Sequence, residues 1–276
     1  MNKTLLANNI LTPEVRRVPN MMAYAADLEP SLKRLHAYGY TGVEWITTDP
    51  KTLDLAALDT LLKKYELQPV AVNTGRLCGE LHLTLSDPDP AVRAGCIARA
   101  KEVLRFAEHW NVPINVGVLH GNYRDDVPRE KTYRWTVEAL QELCDFAGHR
   151  PKSILIETVC YFYSNFLNTL DEAMALIRDV ASPAMGVMYD FVQMQIEERD
   201  ALASARQWID HCGHVHLAEL SRRAPGCGSM DFSSIVKTLR SAGYRGAYSV
   251  ELLPRPDQDT AAKQAADFLL PLLRET

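Results

Sequence analysis

Apolar and polar positions follow one another along this chain in two rhythms that repeat eight times. Short, nearly continuous apolar runs have the length of buried strands. Longer stretches between them carry apolar residues every three or four positions, the period of a helix packed on one face. The short runs predict strands over residues 5–10, 41–46, 68–73, 113–119, 153–157, 186–190, 213–217 and 247–252. The longer stretches predict helices over 28–38, 53–65, 90–110, 129–147, 169–181, 198–211, 232–242 and 260–274. Gly39 and Gly243 read as helix stops, and Pro90 sits in a first turn where its missing N–H costs nothing. Thr169-Leu-Asp-Glu172 has the form of a capping box, and Asp231 is placed to cap the helix after it. The segment holding Arg76, Cys78 and His82 is expected to be a loop.

Strands alternating with helices imply a parallel sheet. Eight such pairs in 276 residues match one closed (β/α)8 barrel, a TIM barrel, which takes about 250 residues. The predicted organisation is a single α/β domain over 1–276. No Gly-x-Gly-x-x-Gly follows the first strand and no Walker loop is present, so the open nucleotide-binding sheets lack their fingerprints.

Composition narrows the partners. The chain is 47% hydrophobic and 24% charged, an ordinary globular balance. A net charge of −5 gives no support for non-specific nucleic-acid binding. No apolar run reaches the roughly 20 residues that span a bilayer. The first twenty residues carry Lys3, Arg16 and Arg17 without a long apolar core, so no secretory leader is expected. The six cysteines form no Cys-x-x-Cys pair and read as reduced thiols of a cytoplasmic protein. A small-molecule ligand is the expected partner, rather than nucleic acid or membrane.

In such barrels the chemistry sits at the C-terminal ends of the strands. There the fifth strand ends in Glu157 and the sixth in Asp190, while the seventh carries His216 and the eighth Glu251. Each alone has a structural explanation: Glu157 or Glu251 could pair with an arginine, and Asp190 could cap a helix. His214 and His216 share a strand face, and a lone buried histidine on a strand is more often a hydrogen-bonded core residue than a ligand. Four polar residues on successive strands are harder to dismiss. Three carboxylates converging on one mouth repel one another, and a divalent cation removes that repulsion. One imidazole with three carboxylates suits Mn²⁺, Mg²⁺ or Co²⁺, with Zn²⁺ less favoured by ligand type. One such ion per subunit would act as a Lewis acid on a substrate with adjacent carbonyl and hydroxyl oxygens, stabilising an enediolate. Two glutamates on opposite sides of that substrate make a two-base epimerase or isomerase.

These residues carry a resemblance. Ile156-Glu157-Thr158, the run from Tyr189-Asp190 to Glu197-Glu198, Gly213-His-Val-His216 with Glu219, Arg222 and Pro225-Gly-x-Gly228, and Ser249-Val-Glu251 are similar to the motifs of the xylose isomerase-like barrel superfamily. Within it the chain resembles the ketose 3-epimerases, the branch of D-tagatose and D-psicose 3-epimerases. The resemblance implies that Glu157 and Glu251 are both metal ligands and the acid/base pair. Asp190 and His216 would complete the metal site, with Mn²⁺ first among the candidate ions. It further implies that Arg222 reaches the substrate oxygens, that a ketose is epimerised at C3 through a metal-bound cis-enediolate, and that subunits associate as dimers or tetramers. Two positions depart from the pattern: Gln193 stands where the family has His, and Tyr163 stands near the place of a second acidic residue. Both bear on sugar identity more than on the metal. His120, at the end of the fourth strand, is a candidate substrate contact or a hydrogen-bonding partner of a neighbouring loop.

Rival functions use the same residues. A 1,2-aldose–ketose or hydroxypyruvate-type isomerase would move the proton between C1 and C2. A keto-sugar or inosose dehydratase or lyase would expel a leaving group after the same enolisation. An AP endonuclease-like protein is disfavoured by Gln193 and the acidic charge, and a non-catalytic sugar-binding barrel by four intact ligands. Arg222, Arg223 and the Pro-Gly-Cys-Gly loop lie where barrels often hold a phosphate, but Arg222 is already assigned to the sugar. A free ketose is therefore favoured.

Overall fold

The computed structural model describes residues 5–275; Lys3, used above, lies outside them. Parallel strands β1 (Leu6–Leu11), β2 (Gly42–Ile46), β3 (Gln68–Asn73), β4 (Ile114–Val116), β5 (Ile154–Glu157), β6 (Met185–Asp190), β7 (Cys212–Leu217) and β8 (Tyr248–Val250) close into a barrel in sequence order. The β8 strand pairs back onto β1. Around them lie α1 (Leu28–Ala37), α2 (Leu55–Lys64), α3 (Gly75–Leu81), α4 (Pro90–Glu108), α5 (Arg129–Phe146), α6 (Leu170–Val180), α7 (Phe191–Glu197), α8 (Ala201–Gln207), α9 (Phe232–Ser241) and α10 (Gln258–Glu275). Among the described residues no helix is long and apolar enough to cross a membrane.

The continuous apolar runs form strands because a barrel strand is buried on both faces. Every residue of β1, β2 and β6 is buried. The helices bury one stripe each: in α9 it is Phe232, Ile235, Val236 and Leu239, at helical spacing. Register then sets the site. Asp190 pairs with His216 across β6 and β7, and His216 pairs with Ser249 across β7 and β8. The last residues of these strands therefore reach the same rim.

Three elements differ from the sequence expectation. The fourth strand is only Ile114–Val116, because residues 118–120 wind into a 3₁₀ turn. The expected loop after β3 is helix α3, which buries Leu77; with glycines at 75 and 79 its seven residues show no helical period. Of the helix expected over 198–211 only α8 forms there as an α-helix, and α7 precedes it. Asp190 ends β6 and also caps α7, its Oδ1 accepting from Val192 N at 2.8 Å. Asp200 caps α8, accepting from Ala203 N at 2.9 Å.

The capping box is present. Thr169 Oγ1 accepts from Glu172 N at 3.4 Å, and Glu172 Oε2 accepts from Thr169 N at 3.1 Å. Replacing Thr169 with Ala removes one cap acceptor and is expected to cost about 1 kcal/mol. The urea midpoint should fall accordingly, and an unchanged midpoint would show that Glu172 alone secures this end of α6.

Candidate metal centre and active site

At the C-terminal mouth of the barrel lies a cavity of about 290 Å³, lined by residues including Met21, Asn73, Glu157, Tyr163, Gln193 and Glu251. Donor atoms of Glu157, Asp190, His216 and Glu251 lie within 4.8 Å of one another at its base. The four candidates from four consecutive strands are thus brought together.

Each is held by the fold. Glu157 Oε2 accepts from Asn115 Nδ2 at 3.2 Å. It also fills the space beside Gly117, where a Cβ would collide with that oxygen. Glu251 Oε1 accepts from Asn9 Nδ2 at 3.4 Å. Arg222 spans the other two carboxylates, its Nη2 donating to Asp190 Oδ2 at 2.6 Å and its Nη1 to Glu251 Oε2 at 3.0 Å. The Arg222 backbone is left-handed, with φ +57°, and the turn is pinned by Arg222 N to Glu219 O at 2.7 Å and Leu253 N to Arg222 O at 2.8 Å.

Glu44, in the middle of β2, was not singled out by sequence. Its Oε2 lies 2.8 Å from His216 Nε2 and 2.9 Å from His214 Nε2, and His214 Nε2 is also 2.8 Å from Ser249 Oγ. His214 is therefore held within the core, and Glu44 is the carboxylate that orients the candidate ligand His216 from behind. A glutamate inside the apolar run Gly-Val-Glu-Trp-Ile was the available signal. With Nε2 committed to Glu44, His216 turns Nδ1 toward the cluster. Nδ1 lies 3.8 Å from Glu251 Oε2, buried and without a hydrogen-bond partner.

Electrostatics follow from burial and crowding. Burial, then the charge of Glu251, pushes the Glu157 carboxyl well above the usual range. Burial likewise raises Glu251, against the opposing pull of Arg222 and His216. Burial disfavours a charged His216, but Glu44 and the neighbouring glutamates outweigh it and push the imidazole up to about 10. Burial would raise Glu44 too, yet the two histidines hold it well below the carboxylate range. Carboxylates crowded enough to hold on to protons, facing an orphaned imidazole nitrogen, are the donor set of a divalent cation. Glu157, Asp190, His216 and Glu251 fit that role.

The remaining candidates separate. Gln193 lines the cavity, and its Oε1 accepts from Cys160 N at 3.0 Å, tying down the segment that leads to Tyr163. His120 does not line the cavity. Its Nδ1 lies 2.9 Å from Gly121 O, its ring meets Phe166 edge-on at 5.4 Å, and burial lowers it to about 4. The contact is with the carbonyl of the next residue, and His120 Nε2 is buried without a hydrogen-bond partner among the described residues. Arg223 is exposed. The Pro-Gly-Cys-Gly loop is turned inward onto Glu219, whose Oε1 accepts from Gly226 N at 3.0 Å and Oε2 from Met230 N at 3.2 Å. A resident carboxylate already takes the amides that would have cradled a phosphate.

Residues 32–272 match the xylose isomerase-like TIM barrel family, and the chain belongs to that family. Within it the similarity runs to carbohydrate epimerases. The chain is 30% identical over 220 residues to the L-ribulose 3-epimerase of Methylomonas sp. (strain DH-1), covering 77% of this chain and 74% of that one. It is 28% identical over 235 residues to the D-psicose 3-epimerase of Agrobacterium fabrum, covering 83% and 80%. The fold superposes on a solved L-ribulose 3-epimerase with a TM-score of 0.79 over 97% of this chain and 94% of that one, at 21% identity.

A cation held by His216 Nδ1 would displace the proton that Glu44 and the neighbouring glutamates stabilise on that imidazole. Mn²⁺ affinity of the metal-stripped protein should therefore rise between pH 6 and 8.5, by on the order of tenfold per pH unit for each proton released. Calorimetry across that range checks it, and a pH-independent affinity would remove His216 from the ligand set.

Proposed function

We propose that this protein is a metal-dependent sugar epimerase, and specifically a 3-epimerase of an unphosphorylated ketose. The observation that carries the proposal is that Glu157, from β5, and Glu251, following β8, both border one cavity while sharing one candidate cation site. The relatives named above supply the reaction class. The use of the Gly-rich loop by Glu219 supports a free sugar over a phosphate ester.

The residues would act as follows. Burial and neighbouring carboxylates raise both glutamates, so each is a competent proton acceptor and, once protonated, a competent donor near neutral pH. One takes the proton from C3 and the other returns a proton to the opposite face. The pair exchanges roles for the reverse reaction, as an epimerase requires. Arg222 remains cationic between Asp190 and Glu251, holding the second glutamate in place and offsetting charge that develops on substrate oxygens. Gln193 and Tyr163 border the sugar, and Val18, Met21 and Val159 close the cavity with apolar surface. A bound divalent cation supplies Lewis-acid polarisation of the ketose oxygens, which is what makes the C3 proton removable.

The test is NMR of the Mn²⁺-loaded protein with a panel of ketoses in D₂O. Deuterium at C3 with appearance of the epimer is the expected result, whereas exchange at C1 or C2 would move the assignment to a 1,2-isomerase. Glu157→Gln and Glu251→Gln, assayed in excess Mn²⁺, should each lower turnover by roughly a thousandfold or more. Near-normal turnover in either variant would sink the two-glutamate mechanism.

A further inference from the structure

The mouth of the barrel is divided. The candidate metal ligands come from β5 to β8, while the β1–β3 side contributes Asn20, Met21, Ile46, Asn73 and Arg76 to the same cavity. Arg76 stands in the first turn of α3, directly after β3. Among the described residues lining the cavity it is the single basic side chain. Its Nη2 donates to Glu80 Oε2 at 2.8 Å, and its Nε is shut off from solvent with no acceptor. Glu80 neutralises the charge of Arg76 without using its whole hydrogen-bonding capacity, since a guanidinium carries five N–H donors. A buried donor without an acceptor is costly, and Arg76, which lines the cavity, keeps N–H donors beyond the one given to Glu80 for an oxygen of a bound ligand.

We infer that Arg76 is a specificity residue that reads an uncharged hydroxyl at the end of the sugar remote from the metal centre. This rests on the ketose reading above and extends it to the far end of the substrate. The charge pattern decides against a phosphate there. Three carboxylates at the candidate metal centre would be balanced by Arg222 and a divalent cation, and Arg76 is balanced by Glu80. The cavity thus offers no excess positive charge to a dianion, but it does offer directed donors to a neutral oxygen. A hydrogen bond from a charged donor discriminates strongly against a ligand lacking its acceptor.

The experiment is calorimetric binding of D-psicose, 6-deoxy-D-psicose and D-psicose 6-phosphate to the Mn²⁺-loaded protein, with C3 deuterium exchange followed separately. The native protein should bind the 6-deoxy sugar about tenfold or more weakly than D-psicose. Arg76→Leu should bring D-psicose down to the 6-deoxy level while leaving Mn²⁺ affinity unchanged. A second variant, Glu80→Gln, uncovers the charge of Arg76 and should raise affinity for the 6-phosphate, with D-psicose little changed. This variant keeps the inference testable if Arg76→Leu fails to fold. Equal binding of the two neutral sugars by the native protein, discrimination retained in Arg76→Leu, tightest native binding of the 6-phosphate, no response of the Glu80 variant, or no sugar binding at all would overturn the inference. Discrimination without any C3 exchange would sustain Arg76 and condemn the 3-epimerase reading instead.

Discussion

Everything at the mouth of this barrel answers one constraint, the repulsion among Glu157, Asp190 and Glu251, which are packed within reach of one another and largely withdrawn from water. Like charges at such spacing in a poorly polarisable site resist ionising together, and both glutamates are displaced in that direction. The protein does not remove the problem by separating the groups. It surrounds them with counter-charge: Arg222 bridges two of the carboxylates, and His216 turns its remaining nitrogen into the cluster. The tension that remains is what a cation would relieve, and in the proposed reaction it would also make the glutamates basic enough to exchange protons with carbon.

Several side chains serve the fold and the site at once, which explains their burial. Asp190 ends β6, caps α7 and faces Arg222. Glu219 holds the loop after β7 in the shape that presents Arg222 from a left-handed turn. Glu44 satisfies two histidines from β7 across the barrel interior. Removing any of these leaves a partner buried and unsatisfied, so their loss would be felt in stability as well as in chemistry.

The barrel was legible in the sequence because each strand is buried on both faces and each long helix on one, so the two periods alternate without interruption. Glu157, Asp190, His216 and Glu251 were legible because they interrupt apolar runs at their C-terminal ends, where barrels place reacting groups. What escaped was written at shorter range or across the barrel. Helix α3 has too few residues and too many glycines to show a period, and α7 begins directly after Asp190, which ends β6 and caps the helix. Glu44 lies mid-strand, and its partners are about 170 positions later, so only closure of the barrel reveals the contact. His120 ends an apolar run just as the ligands do, yet the 3₁₀ turn over 118–120 leaves its ring against Phe166 and outside the cavity.

The division of the mouth into two arcs has an evolutionary consequence. In the proposed reaction proton transfer would be confined to groups carried by β5 through β8 with their supports, while the opposite arc is built from the β1–α1 loop and the start of α3. Changes in that second arc can retune which molecule is accepted without disturbing the groups that react with it. The same scaffold can therefore diversify by exchanging short segments on one side, and a graft limited to residues 18–22 and 73–80 would be the smallest unit of such an exchange.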